Sequence, residues 1–191
     1  MKIGFVDFWT GFNPKNNFFF HSINKLGIKS IVNKKQCKIY GKGFEGFKYK
    51  KNITINAENS GTLGRLILGL LINSKYPLKL IGDKSLSKRD FKRVSDPLSK
   101  FGAKFKLRKN KNLPLIVFGS NKLNPINYTE KKGSAQCKSA VIFGAMRTSG
   151  KTIIKAKKSR NHTELLCKYL KLPISIKNRK EFDLIKISKV K

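Results

Sequence analysis

The chain has 191 residues and 39% of them are hydrophobic, which suits one folded domain or two small ones and excludes a disordered polar segment. Lysine and arginine number 43 against 10 acidic residues, so the formal net charge is +33 and a nucleic acid or another anionic surface must be considered as a partner. The basic residues are mostly lysine and are spread along the whole chain, which favours compositional drift over a dedicated nucleic-acid surface.

The cysteines indicate a reducing environment. Cys37, Cys137 and Cys167 are odd in number and far apart, and only His21 and His162 accompany them, so the sequence predicts neither a disulfide framework nor a metal site. The N-terminus has no signal-peptide core, and no apolar run approaches the roughly 18 residues that a membrane helix needs. We therefore expect a soluble, cytoplasmic protein that has no membrane partner and binds no specific nucleic acid.

One series of elements recurs after a first strand, which the alternation from Lys2 to Phe8 predicts. The period is about 70 to 75 residues, longer than a solenoid repeat, and each series ends in a helix followed by two strands. The predicted helix ends are 24–27, 99–102 and 168–171, and the strand pairs are 29–32 with 37–40, 104–107 with 115–118, and 174–177 with 184–187.

Two further strands and a further helix precede these elements in each repeat. The first helix follows a strand and a small polar turn: the strands are 53–55 and 126–128, the turns begin at Asn59 and Gly133, and the helices are 63–71 and 137–146. The second helix follows a strand and a turn with an arginine: the strands are 79–81 and 152–155, the turns are Ser87-Lys88-Arg89 and Ser159-Arg160, and the helices bear Phe91, Val94, Leu98 and Phe101 in one repeat and Leu165, Leu166 and Tyr169 in the other. The pattern β-α-β-α-β-β predicts an α/β (α+β) fold of repeated units.

The helix starts are candidate anion sites. Unpaired backbone N–H groups and the positive end of the helix dipole attract anions, and Gly61 allows a ligand to approach the backbone closely. A plain helix cap explains any one of these turns taken alone. Equivalent turns in successive repeats tend to lie on one side, however, so we expect the turns at Asn59, Arg89, Ser134 and Arg160 to face one cleft. Arginine is unfavourable beside a helix N-terminus, and its recurrence there favours a bound anion.

Four ordered motifs in this chain resemble those of the 5-enolpyruvylshikimate-3-phosphate synthase family. They are Asn59-Ser60-Gly61-Thr62, Gly82-Asp83-x-Ser85-Leu86-x-Lys88-Arg89, Gly133-Ser134-Ala135-Gln136-x-Lys138-Ser139-Ala140 and Ser159-Arg160-x-His162-Thr163-Glu164. The resemblance implies the enolpyruvyl-transferase fold, in which each of two domains contains three β-α-β-α-β-β units. Residues 21–191 would then form a partial domain of about two repeats and the end of a third, after an atypical segment 1–20.

The resemblance also implies an activity and a site. The family transfers the enolpyruvyl group of phosphoenolpyruvate to the 5-hydroxyl of shikimate 3-phosphate in chorismate and aromatic amino acid biosynthesis, without a metal or organic cofactor. By position, the residues for shikimate 3-phosphate are Ser134, Ala135, Gln136, Ser159 and Arg160; those for phosphoenolpyruvate are Gly61, Arg89 and Gln136; and Asn59 and Thr62 support them.

Several departures from the family pattern limit this expectation. The N-terminal Lys-Ser-x-Ser-x-x-x-Arg segment and the second domain with its acid–base residues are absent, and Asp90 replaces the usual proline after Arg89. No catalytic residue is therefore predicted in this chain, and Glu164 is interpreted as a capping charge in the first turn of a helix. We expect the chain to be inactive alone, and a second chain is one source of the missing domain.

Two alternative readings remain open. A basic nucleic-acid-binding module would bind DNA or RNA with a steep salt dependence. Residues 1–20 resemble the start of bacterial α-1,3-fucosyltransferases, without the donor-binding residues of that family, and an ordinary first strand is the competing explanation.

Overall fold

The computed structural model describes residues 18–32, 37–43 and 46–190. The strand predicted for residues 2–8 and most of the fucosyltransferase-like segment lie outside the described residues. The helices are α1 (Phe18–Lys25), α2 (Gly61–Leu71), α3 (Lys92–Ser99), α4 (Ala135–Ala145) and α5 (His162–Tyr169). The strands are β1 (Ser30–Val32), β2 (Cys37–Ile39), β3 (Thr54–Asn56), β4 (Leu78–Ile81), β5 (Lys104–Arg108), β6 (Asn112–Phe118), β7 (Asn127–Glu130), β8 (Lys151–Lys157), β9 (Ile174–Asn178) and β10 (Phe182–Ser188).

Two four-stranded sheets share one topology. The first has the order β3-β4-β6-β5 and the second the order β7-β8-β10-β9. In each sheet the first two strands are parallel and the other pairs are antiparallel. We call residues 54–118 unit one and residues 127–188 unit two. Each unit is a β-α-β-α-β-β series, so the predicted repeat is confirmed.

A shorter series precedes unit one. It consists of α1 and the antiparallel pair β1–β2, in which Ile31 lies opposite Lys38. This α-β-β order matches the last three elements of each complete unit.

The two first helices of the units pack directly against each other. A Cβ atom added to Gly69 of α2 would lie 2.1 Å from the carbonyl oxygen of Ala140 in α4, so only glycine fits at this crossing. The α4 helix also contacts α3 and β8, and its residues from Cys137 to Ala145 are all buried. A helix that is buried on every side needs no polar face, and α4 accordingly shows almost no amphipathic pattern.

The structure corrects three helix starts. The α2 helix begins at Gly61 rather than residue 63, and α4 begins at Ala135 rather than Cys137, because Ser60 and Ser134 cap them. Arg89 does not begin a helix: it ends a 3-10 turn over Leu86–Lys88, and α3 begins at Lys92. The dipole penalty that we expected for Arg89 therefore does not apply.

The new start of α3 explains the residue that departs from the family motif. Asp90 Oδ1 accepts a hydrogen bond of 2.8 Å from the backbone N–H of Lys92, so the carboxylate stabilises the first turn of α3.

Among the helices of the described residues, none has the length and apolar character to cross a bilayer.

Candidate anion-binding site

The starts of α2 and α4 have the same local structure. Ser60 has φ −82° and ψ 96°, and its hydroxyl accepts a hydrogen bond of 3.1 Å from the N–H of Leu63. Ser134 has φ −85° and ψ 103°, and its hydroxyl accepts a bond of 3.3 Å from the N–H of Cys137. Each serine satisfies one N–H group of its helix start. The N–H groups of Ser60 and Gly61 donate to Ala57 and Asn59, so Thr62 has the N–H group that is left for a ligand at the start of α2.

A buried carboxylate holds the turn before α4. Glu130 is 5% exposed; its Oε2 accepts a bond of 2.9 Å from the N–H of Ser134, and its Oε1 accepts one of 3.2 Å from the N–H of Lys132. Gly133 completes the turn with φ 66°, a conformation that favours glycine. The orientation of Ser134 and Ala135 at the helix start is thereby set by the end of β7.

Two arginines converge above Gly61. A Cβ atom added to this glycine would lie 2.9 Å from Nη1 of Arg65 and 3.0 Å from Nη1 of Arg89. The Arg89 guanidinium also donates from Nη2 to Oδ1 of Asn59 at 3.1 Å. Within the described part of the chain, no carboxylate forms an ion pair with either guanidinium. Among the described residues, the guanidinium groups of Arg65 and Arg89 therefore lie close together above Gly61 without a carboxylate between them.

Gln136 links the two helix starts. Its Oε1 accepts a hydrogen bond of 2.6 Å from Nη1 of Arg65, and its Nε2 donates one of 2.9 Å to Oγ1 of Thr62. These bonds join residues of α2 to a residue of α4 that lies 71 and 74 positions away in the chain. The side-chain amide is thus fixed at the boundary between the two units.

Arg65 is the functional candidate that the sequence analysis missed. It is half-buried, and its guanidinium carbon lies 5.4 Å from the centre of the Phe91 ring. Burial is the main cause that lowers the pKa of Arg65, and neighbouring Arg89 and Arg93 lower it further. The group remains charged at neutral pH. Its position four residues after Gly61 puts it on the same helix face, a spacing from which it could have been found.

The side chains of Ser159 and Arg160, in the turn before α5, have free polar groups. Ser159 Oγ is buried and has no hydrogen-bond partner among the described residues. Arg160 is exposed and, within those residues, forms no hydrogen bond or ion pair. Neither contacts Gln136 or Ser134 through a hydrogen bond. An unsatisfied buried hydroxyl is costly, and a ligand atom would supply its missing partner.

Two polar links tie the first turn of α5 to the first turn of α4. Lys138 Nζ and Glu164 Oε1 form an ion pair at 2.5 Å with side chains that are 0% and 3% exposed, and the hydroxyls of Ser139 and Thr163 lie 2.7 Å apart. The prediction that Glu164 is a helix-capping charge is corrected: it does lie in the first turn of α5, but its partner is a lysine of α4. The links hold the chain that follows Arg160 against the Ser134 helix.

The backbone of the Arg89 turn is held from β6. Asn112 Nδ2 donates to the carbonyl oxygens of Lys88 at 3.0 Å and Arg89 at 3.2 Å. An open depression adjoins this turn, and it is lined by Asp83, Lys84, Ser85, Lys88 and Arg89. Arg89 is the predicted site residue in this depression, and the α4 helix start lies outside its lining.

The structure therefore assembles the predicted residues in two groups. Asn59, Gly61, Thr62, Arg89 and Gln136 form one contact network, which Arg65 completes. Ser134 and Ala135 precede Gln136 at the start of α4. Ser159 and Arg160 are held near that helix through α5 and through the end of β8, since a Cβ atom added to Gly133 would lie 3.3 Å from the carbonyl oxygen of Lys158.

Comparisons with known proteins agree with this architecture. The sequence matches the family described as EPSP synthase (3-phosphoshikimate 1-carboxyvinyltransferase) over residues 18–188. The 3-phosphoshikimate 1-carboxyvinyltransferase of Caldicellulosiruptor bescii is 50% identical over 117 residues, which are 60% of this chain and 27% of that protein. The protein of the same name from Clostridium tetani is 39% identical over 158 residues, which are 82% of this chain and 36% of that protein. The chain thus spans about a third of the length of these relatives.

Solved structures show the same fold. EPSP synthase from Acinetobacter baumannii has a TM-score of 0.81 and 25% identity, and the match covers 91% of this chain and 39% of that one. The enolpyruvyl transferase NikO from Streptomyces tendae has a TM-score of 0.59 and 12% identity over 92% of this chain and 40% of that one. The predicted enolpyruvyl-transferase-type fold is confirmed.

Proposed function

The chain belongs to the EPSP synthase family, and from this premise we propose that it binds phosphoenolpyruvate and shikimate 3-phosphate as one wall of an enolpyruvyl-transfer site. The observation that carries the proposal is the convergence of Arg65 and Arg89 above Gly61. Like charges this close repel each other, and a doubly or triply charged anion between them removes the repulsion.

Phosphoenolpyruvate fits the arginine group. Its phosphate and its carboxylate each offer at least two acceptor oxygens, to which a guanidinium donates two parallel hydrogen bonds. The absence of a side chain at Gly61 leaves room for the ligand beside the free N–H group of Thr62 in α2. Gln136, held by Arg65 and Thr62, presents its amide between this ligand and the α4 helix start.

Shikimate 3-phosphate fits the start of α4. Its phosphate would accept hydrogen bonds from the hydroxyl of Ser134 and the N–H group of Ala135, and from the hydroxyl of Ser159 and the guanidinium of Arg160. Those two side chains have the free polar groups that such a ligand needs. The two substrates would then meet at Gln136.

The chemistry that this wall supplies is electrostatic. In the proposed reaction the 5-hydroxyl oxygen loses its proton and bonds to C2 of phosphoenolpyruvate while C3 gains a proton, and the resulting tetrahedral intermediate then loses phosphate and a C3 proton. Fixed guanidinium groups stabilise the leaving phosphate and hold the two anions together. The proton transfers need acid–base groups on the opposite wall of the site.

Calorimetry at low salt tests the site. We expect Arg89→Gln to weaken phosphoenolpyruvate binding, and Arg160→Gln to weaken shikimate 3-phosphate binding, each by about tenfold or more. The control is Lys104→Gln, which removes the same charge from an exposed position of β5 and should change either affinity less than about twofold.

Two results would contradict the proposal. One is the absence of shikimate 3-phosphate binding by the unmodified chain, and the other is an equal loss of affinity in all three variants, which would indicate a general effect of net charge. Phosphate release from the two substrates by the chain alone would instead show that its own residues supply the proton transfers.

A further inference from the structure

The outer face of the first sheet carries a row of cations. This sheet, which we call sheet one, has the order β3-β4-β6-β5, so β5 is an edge strand. Lys104, Lys106 and Arg108 alternate along β5 with half-buried residues, and all three are exposed. Alternate side chains of a strand point to the same face and follow one another at about 6.6 Å. The edge strand therefore presents three positive charges in a line.

Apolar side chains lie beside this row. Phe118 of β6 is opposite Lys104 and is 38% exposed, and half-buried Ile116 is opposite Lys106. On the other side of Ile116 lies Lys79 of β4, which is also exposed. The ring of Phe118 is thus accessible to solvent next to a cation.

The strands of sheet one contain no carboxylate that balances these charges. Residues 54–56, 78–81, 104–108 and 112–118 include four cations and no aspartate or glutamate. Within the described part of the chain, none of the four cations forms an ion pair. Because close like charges repel each other, the face favours a ligand that carries several negative charges in a row.

The equivalent edge strand of unit two does not have this row. It is β9, with the sequence Ile-Ser-Ile-Lys-Asn, and its one cation is Lys177. A line of cations is therefore not a requirement of the edge position in this fold. Lysine on an edge strand also opposes pairing with another sheet, but that role does not need an exposed aromatic ring beside the lysines.

We propose that the outer face of sheet one binds single-stranded nucleic acid without sequence preference. Its phosphates would lie along Lys104, Lys106 and Arg108, and one of its bases would stack on Phe118. A single strand offers both groups at once, whereas the bases of a duplex are already paired and stacked, and a lipid surface has no base. RNA and DNA share this chemistry. The inference is independent of the proposed enolpyruvyl-transfer site.

Fluorescence anisotropy of the full chain tests the surface. The probes are labelled oligouridylate, oligothymidylate and a duplex, each longer than the roughly 16 nucleotides of a large single-strand site. We expect both single strands to bind with a dissociation constant of about 10⁻⁴ to 10⁻⁶ M at physiological salt, and more tightly than the duplex. Tighter binding of oligouridylate would identify RNA as the partner, and tighter binding of oligothymidylate would identify DNA.

The row of cations is tested by the triple variant Lys104→Gln/Lys106→Gln/Arg108→Gln. It should weaken single-strand binding by about tenfold or more. The slope of log affinity against log salt concentration should fall by about two, since each phosphate contact contributes about 0.7.

The matched control is Lys168→Gln/Lys171→Gln/Lys180→Gln, which removes the same charge from exposed positions of unit two. It should weaken binding by less than about threefold, because charges beyond a Debye length are screened. Phe118→Leu should weaken binding by about fivefold or more with an unchanged salt slope, since it removes a stacking ring and no charge. Thermal unfolding establishes that the variants are folded.

Several results would overturn the proposal. Equal losses in the two triple variants would show that net charge alone attracts the strand. An unchanged affinity of Phe118→Leu would exclude stacking, and tighter binding of the duplex would exclude a single-strand surface. Binding to phosphatidylserine vesicles without binding to either single strand would assign the face to a membrane.

Discussion

Unit one and unit two have the same order of helices and strands, but their second helices differ in burial. Both have the same strand order, the same serine cap at the first helix and an arginine before the second helix. The second helix of unit one is covered by α4, whereas the second helix of unit two presents Tyr169 at 83% exposure. The comparison teaches that the same supersecondary unit can bury its second helix to different degrees, with four buried residues in α3 and two in α5.

The units also differ in how the first turns of their helices are connected. Unit two has the buried pair Lys138–Glu164. By the bounds of the helices, the equivalent positions of unit one are Gly64, which lies against the Phe91 ring, and Val94, which is buried. An apolar contact thus replaces an ion pair at the same point of the fold.

The largest expected effect comes from removing the buried ion pair of unit two. Glu164→Gln leaves a fully buried lysine charge without its partner, so we expect the free energy of unfolding to fall by about 3–5 kcal/mol. Urea unfolding at neutral pH measures it. Arg93→Gln, at an exposed position of α3, should change stability by less than about 0.5 kcal/mol, and the double variant Lys138→Met/Glu164→Met should recover most of the loss. A loss below about 1 kcal/mol for Glu164→Gln would show that the pair is not desolvated.

A smaller loss is expected where the two units meet. Gly69→Ala puts a methyl group against the backbone of Ala140, and a backbone cannot move aside as a side chain can. We expect a loss of about 3 kcal/mol, at the upper end of the overpacking range. Gly144→Ala is the graded control, because its added Cβ meets only side chains at 3.1 to 3.4 Å and should cost about 1 kcal/mol or less. Equal melting temperatures for the two variants would contradict the packing of α2 on α4.

The serine caps should behave alike. Ser60→Ala and Ser134→Ala each remove one hydrogen bond to a helix N–H, and each should cost about 1 kcal/mol of stability. Calorimetric unfolding compares the two variants, whose near-identical cap geometry predicts a difference of less than about 0.5 kcal/mol. A large loss of stability at one serine alone would mean that its turn contributes to stability in a way that the other turn does not. Only Ser134→Ala should also weaken shikimate 3-phosphate binding.

The smallest effect concerns alkaline pH. Burial, and then the charge of Glu164, raise the pKa of Cys167 to about 12, whereas the equivalent residue of unit one is Pro97, which does not ionise. The unfolded thiol ionises near its ordinary pKa of about 8.5, so its contribution to stability is complete below that pH and is lost as pH rises toward 12. The free energy of unfolding, measured from pH 8 to 10.5, should fall more steeply for the wild type than for Cys167→Ala. Parallel curves would exclude a buried neutral thiol.

Much of the fold could be predicted from local patterns. The apolar spacing of Phe91, Val94, Leu98 and Phe101 predicted one buried helix face, and all four residues are 0% exposed. The 3-10 turn before Arg89 was not predicted, because its Asp83 cap and three-residue length give no periodic signal. The roles of the site residues remain predictions.

The sequence by itself determined the repeat, the serine caps and the family motifs, because these depend on residues three or four positions apart and on short turns. Tertiary structure decided which side chains meet: the bonds of Gln136 to α2 span 71 and 74 residues, and the ion pair of Lys138 joins two helices. It also decided that Leu98 is core while Tyr169 is exposed. The apolar pattern of a helix specifies that one face needs cover, but only the packing of a neighbouring unit provides it.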